Sequence, residues 1–314
     1  MKQVDWVGLW YTVAKERGVN DVVDFGRVNT ASGAVEWFDF SHQKCDGAGG
    51  MAYALQKLGR NIPPMPRSRE EAPPRGLRKA RILAKAAKGR KPPVMRWKHP
   101  APGARAMPRD FSWHVFSVEE TNSILSRAAA EKVSVNAWMM AHLTDVLLPE
   151  LLEGAGPARW LFPVNMRGPV WKGDGLGNHS SAIPIFVRAG TRAPEIHAQI
   201  REGLVNGAHW ATWWMLHVGK LVGLKGMRYL SRQSAKKSFW LGTFSNMGAW
   251  DDELAGPDEA WIVAPPGSEN YPIGVGIVTW RGRMAISLKI HPAVCADRSL
   301  PPRLFGNFVQ RLTG

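Results

Sequence analysis

The chain of 314 residues carries 41 Lys+Arg against 26 Asp+Glu, a net charge of +15, with 45% apolar and 10% aromatic residues, so it can bury a large core and is not a disordered polyelectrolyte. The charge is concentrated: residues 60 to 109 hold 15 basic side chains and two acidic ones, Glu70 and Glu71, and the near-balance of the remainder excludes a uniformly basic nucleic-acid coat. Cys45 and Cys295 are too few for a disulfide framework and lack metal-ligand spacing, and no apolar run reaches the ~18 residues of a spanning helix, so a cytoplasmic protein without structural zinc or a transmembrane segment is expected.

In chain order, the sequence predicts a first helix from about Asp5 to Arg17, then a strand over Gly33 to Ser41. In that strand Phe38, Phe40 and His42 alternate with Val35, Trp37 and Asp39. It runs into Asp46-Gly47-Ala48-Gly49-Gly50, a glycine-rich turn, and a helix with Met51, Leu55 and Leu58 on one face. Such a strand, turn and helix can present a side chain at the mouth of a cavity.

Residues 61 to 110 are the compositional break. Prolines, among them Pro63, Pro64, Pro66 and Pro108, bracket one helical candidate, Arg75 to Arg90. Leu77, Ala80, Leu83, Ala84 and Ala87 form its expected apolar face, with Arg78, Lys79, Arg81, Lys85 and Lys88 around it. The segment reads as a crossover linker carrying a basic amphipathic helix, between a shortened N-terminal subdomain (1–60) and a C-terminal subdomain (111–314).

Beyond it, Ser117-Val118-Glu119-Glu120 is a capping box that opens a helix through about Lys132, and Ser134 caps a second, mostly apolar helix through Leu152. Strands at Trp160 to Val164 and Ser181 to Arg188 flank a loop carrying Arg167 and Gly173 to Asn178. Helices fill 193 to 235, and strands near 239 to 246 and 260 to 264 follow. A hairpin, Ile273 to Trp280 and Met284 to Ile290, turns at Arg281-Gly282-Arg283, and Pro301 to Leu312 form the last helix. Elements mixed in this order point to α+β layers rather than a regular βαβ array, and the 15 tryptophans read mainly as core.

The sharpest local feature is Ser41-His42-Gln43-Lys44-Cys45-Asp46-Gly47. A histidine at a strand end can act as a general base near neutral pH. The carboxylate four residues on, across a turn, can hold local geometry through a further partner, and the glycine lets the chain reverse. The plain alternatives are a hydrogen-bonded strand-end histidine for His42, a surface arginine for Arg167 and turn-formers for Ser245 and Asn246. Cys45 has no partner to lower its pKa and reads as a packed thiol. The other histidines show no metal spacing, and His179, beside Asn178, is the one placed to line a site.

In these motifs the chain resembles the chloramphenicol acetyltransferase-like superfamily, which includes peptide-synthetase condensation domains, wax ester synthases and plant acyltransferases. His42-x3-Asp46-Gly47 resembles its signature, with Ser41 where many members have a second histidine. Val133-Ser134-Val135-Asn136-Ala137 resembles the start of the buried helix in the second half. Pro163-Val164-Asn165-Met166-Arg167, followed by Gly177-Asn178, resembles the "PVxxR…GN" block, and Phe244-Ser245-Asn246-Met247-Gly248 resembles the "SNxG" strand. Residues 273–312 resemble the C-terminal hairpin and helix. The ordered motifs cover about residues 33 to 312.

The resemblance implies mixed sheets flanked by helices, with a truncated N-terminal half, since only 41 residues precede His42. It implies that His42 deprotonates a hydroxyl or an amine for attack on an acyl thioester, and that Asp46 is structural and pairs bidentately with Arg167. It implies that Ser245 or Asn246 donates to the developing oxyanion. The co-substrate implied is an acyl-coenzyme A or acyl-carrier-protein thioester, with no bound cofactor or metal. The short first half leaves three arrangements open: a homo-oligomer that completes the site, a site open to a bulky acceptor, or a catalytically silent relative that binds an acyl chain, a carrier protein or a membrane. For Arg78, Lys79, Arg81, Lys85 and Lys88 the readings are coenzyme A phosphates, an acidic carrier protein, peripheral contact with an anionic membrane, or a solvated linker. Nucleic acid is disfavoured, because the segment has no reader fold and only Trp97 for stacking.

Overall fold

Two sheets organise the chain in the computed structural model, which describes residues 4–62, 71–89, 91–168, 170, 175–235 and 240–314. After helix α1 (Trp6–Lys15), strands β1 (Val22–Asn29) and β2 (Val35–Ser41) form a hairpin that leads into α2 (Gly47–Lys57). Helix α3 (Gly76–Ala87) and the short strand β3 (Ser112–Val115) precede α4 (Val118–Ala130) and α5 (Val135–Leu151). Strands β4 (Ala158–Asn165) and β5 (Ser180–Val187) come next, then helices α6 (Ala193–Val205), α7 (Ala208–Leu216) and α8 (Gly219–Ala235). Strands β6 (Gly242–Trp250), β7 (Glu259–Ala264), β8 (Ile273–Trp280) and β9 (Arg283–Ile290) lead to the last helix, α9 (Leu300–Thr313).

The smaller sheet has the order β2-β1-β7 and the larger one β3-β9-β8-β6-β4-β5. In the larger sheet β6 runs parallel to both β4 and β8, while its other pairs are antiparallel. Strand β7, late in the chain, crosses over to pair antiparallel with β1, placing Val263 opposite Phe25. Arg60, just past α2, reinforces that crossover with two 2.6 Å hydrogen bonds to the Glu259 carboxylate. The sheets are thereby tied together by chain from opposite ends of the sequence.

Strands β1 and β3 have no counterpart among the elements expected from sequence. β1 is covered on both faces, so it lacks the alternation of a half-exposed strand. Its buried Asp24 lies 3.7 Å from Lys289, and a Cβ on Gly26 would come within 2.7 Å of Ile262. β3, Ser-Trp-His-Val, is too short to show a period.

Two cores result. In the larger, α5 lies against the six-stranded sheet with α4, α6 and α9 around it, which is why nearly all of its circumference is apolar. The second joins α2, the smaller sheet, Trp250, Trp261 and Trp280. Trp138, Trp160, Trp210, Trp261 and Trp280 are fully buried, a packing use of tryptophan. Both expected caps form: Ser117 and Glu120 make the reciprocal capping box of α4, and Ser134 accepts from the Ala137 amide at the start of α5.

The basic segment departs from its expected packing. Only Ile82 of α3 is buried, against Met166 and Trp210, while Leu77 of the expected apolar face is 77% exposed. Gly207 makes room for this contact, because a Cβ there would lie 2.7 Å from Ile82 Cδ1. Further along, the segment straps onto the body: the Lys98 amide donates to the Leu151 carbonyl at 2.9 Å, and Arg109 pairs with Asp39 at 3.2 Å. Pro63, Pro64, Pro66, Glu70, Arg90 and Gly173 lie outside the described residues. Among the described residues, no helix is long and apolar enough to cross a membrane.

Candidate active site

His42 stands at the end of β2, where the hairpin feeds α2. Its amide donates to the Asp21 carbonyl at 2.8 Å, and the Asp21 carboxylate accepts from Ser41 Oγ at 2.6 Å and the Gln43 amide at 3.1 Å. Lys15 joins this clamp, 2.9 Å from Asp21 and 2.8 Å from Ser41 Oγ. Ser41, where many members of the superfamily it resembles have a second histidine, is thus a bridge between α1 and the turn. Asn178 Nδ2 donates to the His42 carbonyl, so the loop before β5 holds the turn from the other side. The imidazole stacks on Tyr11, with ring centroids 4.3 Å apart and planes 12° from parallel. Its buried Nδ1 makes no hydrogen bond among the described groups. Burial lowers the His42 pKa below the ordinary histidine value and outweighs the opposing pull of Asp46, the nearby backbone carbonyls and Asp21. The ring is therefore neutral at pH 7.

Asp46 has a different task. It is the N-cap of α2 and accepts from the Gly49 amide at 2.9 Å. Arg167 donates from Nη1 to Oδ2 at 2.8 Å and from Nη2 to Oδ1 at 2.7 Å, the bidentate pairing expected of these two residues. The His179 amide at 2.9 Å and Ser180 Oγ at 3.2 Å complete the shell. The guanidinium donates further to the carbonyls of Gly175 and Gly177, at 2.8 and 3.1 Å. Burial pushes the Asp46 carboxyl up, but Arg167 and the two amides outweigh it and hold the group below the usual carboxylate range. Cys45, between the two, is buried, and its thiol is pushed up to about 12 by burial and then by Asp46. At neutral pH it is a packed thiol, not a nucleophile.

The glycines correct one expectation. Gly47 was expected to permit the reversal, yet it is the first residue of α2 and has no positive φ. Close approach matters at Gly49 instead, where a Cβ would sit 1.9 Å from the Leu176 carbonyl oxygen of the loop that carries Arg167's partners. Gly47 is packed less tightly, its Cβ position lying 3.2 Å from Met247 Sδ.

Ser245 and Asn246 lie on β6, pairing with Gly276 and Ile277 of β8. Asn246 is engaged at both ends of its amide: Nδ2 donates to Asn136 Oδ1 of α5 at 2.7 Å, and Oδ1 accepts from the Gly248 amide at 2.8 Å. It closes a bulge in which the register shifts between Asn246 and Ala249 and Gly248 takes φ 78°. Among the described residues no hydrogen bond links Ser245 or Asn246 to His42. The cations Arg78, Lys79, Arg81, Lys85 and Lys88 are exposed on or just after α3, away from these contacts.

The sequence matches no family model and no curated protein. Among solved structures it is similar to the cyclization-docking bidomain of the EpoB peptide synthetase from Sorangium cellulosum (TM-score 0.55, 10% identity, 88% of this chain and 59% of that one). It is also similar to the condensation domain of the Monacolin K polyketide synthase MokA (0.54, 13%, 89% and 68%). A third is a trichothecene 15-O-acetyltransferase from Fusarium sporotrichioides (0.52, 13%, 75% and 51%). The chain has the condensation-domain fold, that of the chloramphenicol acetyltransferase-like proteins. It spans from about half to about two thirds of the length of these structures. At such identities the likeness is one of fold.

Within this condensation-domain fold, two contributors escaped the sequence reading. Tyr11 sits in the first helix with nothing local to mark it, and burial raises its hydroxyl pKa above the ordinary tyrosine value. Asp21 directly precedes β1, a strand without an alternating pattern, so its place across the hairpin from His42 is hidden in the sequence; the signal available is an acidic residue directly before the Val22-Val23 pair.

Proposed function

We propose that the protein is an acyltransferase that moves an acyl group from a coenzyme A or carrier-protein thioester to a hydroxyl, or secondarily an amine, with His42 as general base. The observation that carries this reading is the division of labour at the turn. His42 is a half-buried, neutral imidazole whose Nδ1 is shielded from solvent, while Asp46, which would otherwise be its partner, is wholly occupied by Arg167, Gly49, His179 and Ser180. The fold supports it, since an O-acetyltransferase and a condensation domain share that fold.

In the proposed step, His42 takes the hydroxyl proton as the acceptor oxygen bonds to the thioester carbonyl carbon. The carbonyl electrons pass to oxygen, and the tetrahedral oxyanion collapses by breaking the carbon–sulfur bond. The departing thiolate takes the proton back from the imidazolium, so the base is regenerated. Ser245 is the better candidate for an oxyanion donor, because Asn246 is committed to Asn136 and the bulge. The Asp46–Arg167 pair holds the two halves of the site together and exchanges no proton.

A second reading, a catalytically silent relative that binds an acyl chain, a carrier protein or a membrane, draws on Asn246 being committed to Asn136 and the bulge rather than free to donate to an oxyanion. Thiol release from acetyl-, medium-chain and long-chain acyl-coenzyme A and from an acyl carrier protein, with alcohol and amine acceptors, separates the two. Release that disappears in His42→Ala supports the enzyme. Release that His42→Ala leaves intact, or none from any donor, sinks it.

A further inference from the structure

Two stretches of this chain contain no acidic residue at all: 72–109, with twelve Lys or Arg, and 203–250, with six. The fold packs them together. Helix α3, from the first stretch, lies on α7, from the second, through Ile82 against Trp210, with Lys79 Nζ 5.0 Å from the Trp214 ring centroid. Helix α7 leads directly into α8.

The acids that reach this side are already engaged. Glu71 binds His209 Nε2 and Trp210 Nε1 at 2.5 and 2.8 Å, Glu16 pairs with Arg228 at 2.7 Å, and Glu202 lies 3.8 Å from Lys85. Among the described residues, Arg78, Arg81, Lys88, Lys220 and Lys225 have no ion-pair partner.

About half of the large apolar side chains that the described residues leave exposed lie on these helices. Leu77 and Leu83 project from α3, Met215 from the end of α7, and Leu221, Val222 and Tyr229 from α8, Leu221 being 88% exposed. Past the break in helical backbone at Gly223, Lys225, Tyr229 and Arg232 recur along one exposed stripe of α8.

We propose that the side formed by α3, α7 and α8 docks on an anionic lipid bilayer. Exposed aliphatic side chains interleaved with unpaired cations match the boundary between headgroups and acyl chains, where the cations meet lipid phosphate and the Leu, Met and Tyr side chains leave water. A purely polyanionic partner would use the cations and gain nothing from Leu77 or Leu221. The docked side stands one helix from His42: Trp10 of α1 donates to the Leu216 carbonyl at 2.8 Å, and the neighbouring Tyr11 stacks on the imidazole. The inference rests on surface chemistry and needs no acyl transfer.

Flotation of the full chain with vesicles tests it without any acyl donor. Binding is expected to vesicles of phosphatidylcholine mixed with phosphatidylglycerol, to be weak on phosphatidylcholine alone, and to fall with added salt. Each near-surface cation contributes about a fivefold factor to partitioning, so Arg78→Gln, Arg81→Gln and Lys88→Gln together should lower it at least about tenfold. Leu77→Ser with Leu221→Ser should also weaken it several-fold at constant charge, with unchanged far-ultraviolet circular dichroism. No flotation with anionic vesicles overturns the proposal. Flotation that this leucine pair leaves unaltered also overturns it and reassigns the face to a polyanionic partner such as an acidic protein or a nucleic acid.

Discussion

Around Asp46, five donors from Gly49, Arg167, His179 and Ser180 converge on one buried carboxylate. On α3, cations of equal prominence in the sequence stand in solvent, and among the described residues only Lys79 and Lys85 have a neighbour to engage. Both regions are strongly charged, but water solvates the second at little cost, whereas the first had to replace every hydration contact with a protein one. A buried charge is therefore written into the positions of many residues at once, and an exposed one into almost none.

The sharpest way to break that comparison is to remove function while sparing the network. His42→Ala should lower turnover by about 10²- to 10⁴-fold with the unfolding midpoint nearly unchanged, because the imidazole shares no hydrogen bond with the Asp46 shell. Steady-state kinetics beside denaturant unfolding checks it, and equal losses in both measurements would contradict the division of labour.

Next in size is the network itself. Arg167→Ala leaves a buried carboxylate unpaired and should cost about 3–5 kcal/mol in urea unfolding, with Arg167→Lys recovering only part, since an ammonium cannot reproduce the fork.

The two groups should also separate along the pH axis. The folded-state pKa of His42 is depressed, so turnover should fall as pH drops through a value below the ordinary histidine pKa of about 6.5. The Asp46 pKa is depressed too. Its stabilisation is present above the unfolded carboxylate pKa of about 3.9 and is lost as pH falls below that toward the folded value, so acid unfolding from this source begins only near about pH 4 and below. Coincident limbs would merge two roles that the geometry keeps apart.

Smaller is Asn246→Ala, which removes the bonds to Asn136 and the Gly248 amide and should cost about 1–3 kcal/mol. Smallest is the exposed set: Arg78→Gln, Arg81→Gln and Lys88→Gln should each change stability by no more than about 0.5 kcal/mol, whatever they do to vesicle binding.

How much of this was legible follows the same division. Asp46 is marked locally by the glycine-rich turn that follows it, whereas Arg167 as its partner was implied only by the resemblance of Pro163-Val164-Asn165-Met166-Arg167 to the superfamily's block. Helices α4 and α5 are marked by their caps, Ser117 with Glu120 and Ser134. Strand β1 was illegible because burial on both faces erases the period of two, and with it went Asp21, whose side chain clamps the turn across 20 residues of sequence. Helix α3 was legible as a helix and not in its facing: Ile82 is buried because Gly207 and Trp210 form a seat for it, and neither is local in sequence.

By itself the sequence determined the α+β order of elements, the histidine and aspartate spaced across a turn, and the concentration of charge after them. These are properties of residue type and short spacing, which propensity, capping and solvation decide locally. Only the tertiary structure decided that Asp46 spends both oxygens on Arg167 and its neighbours, that Asn246 closes a bulge, that Gly49 rather than Gly47 admits the loop, and that two acid-free stretches more than 90 residues apart meet where α3 packs on α7. Each depends on which distant group fills the space beside a side chain, and burial, which sets both the neutral state of His42 and the cost of leaving Asp46 unpaired, exists only once the chain has folded.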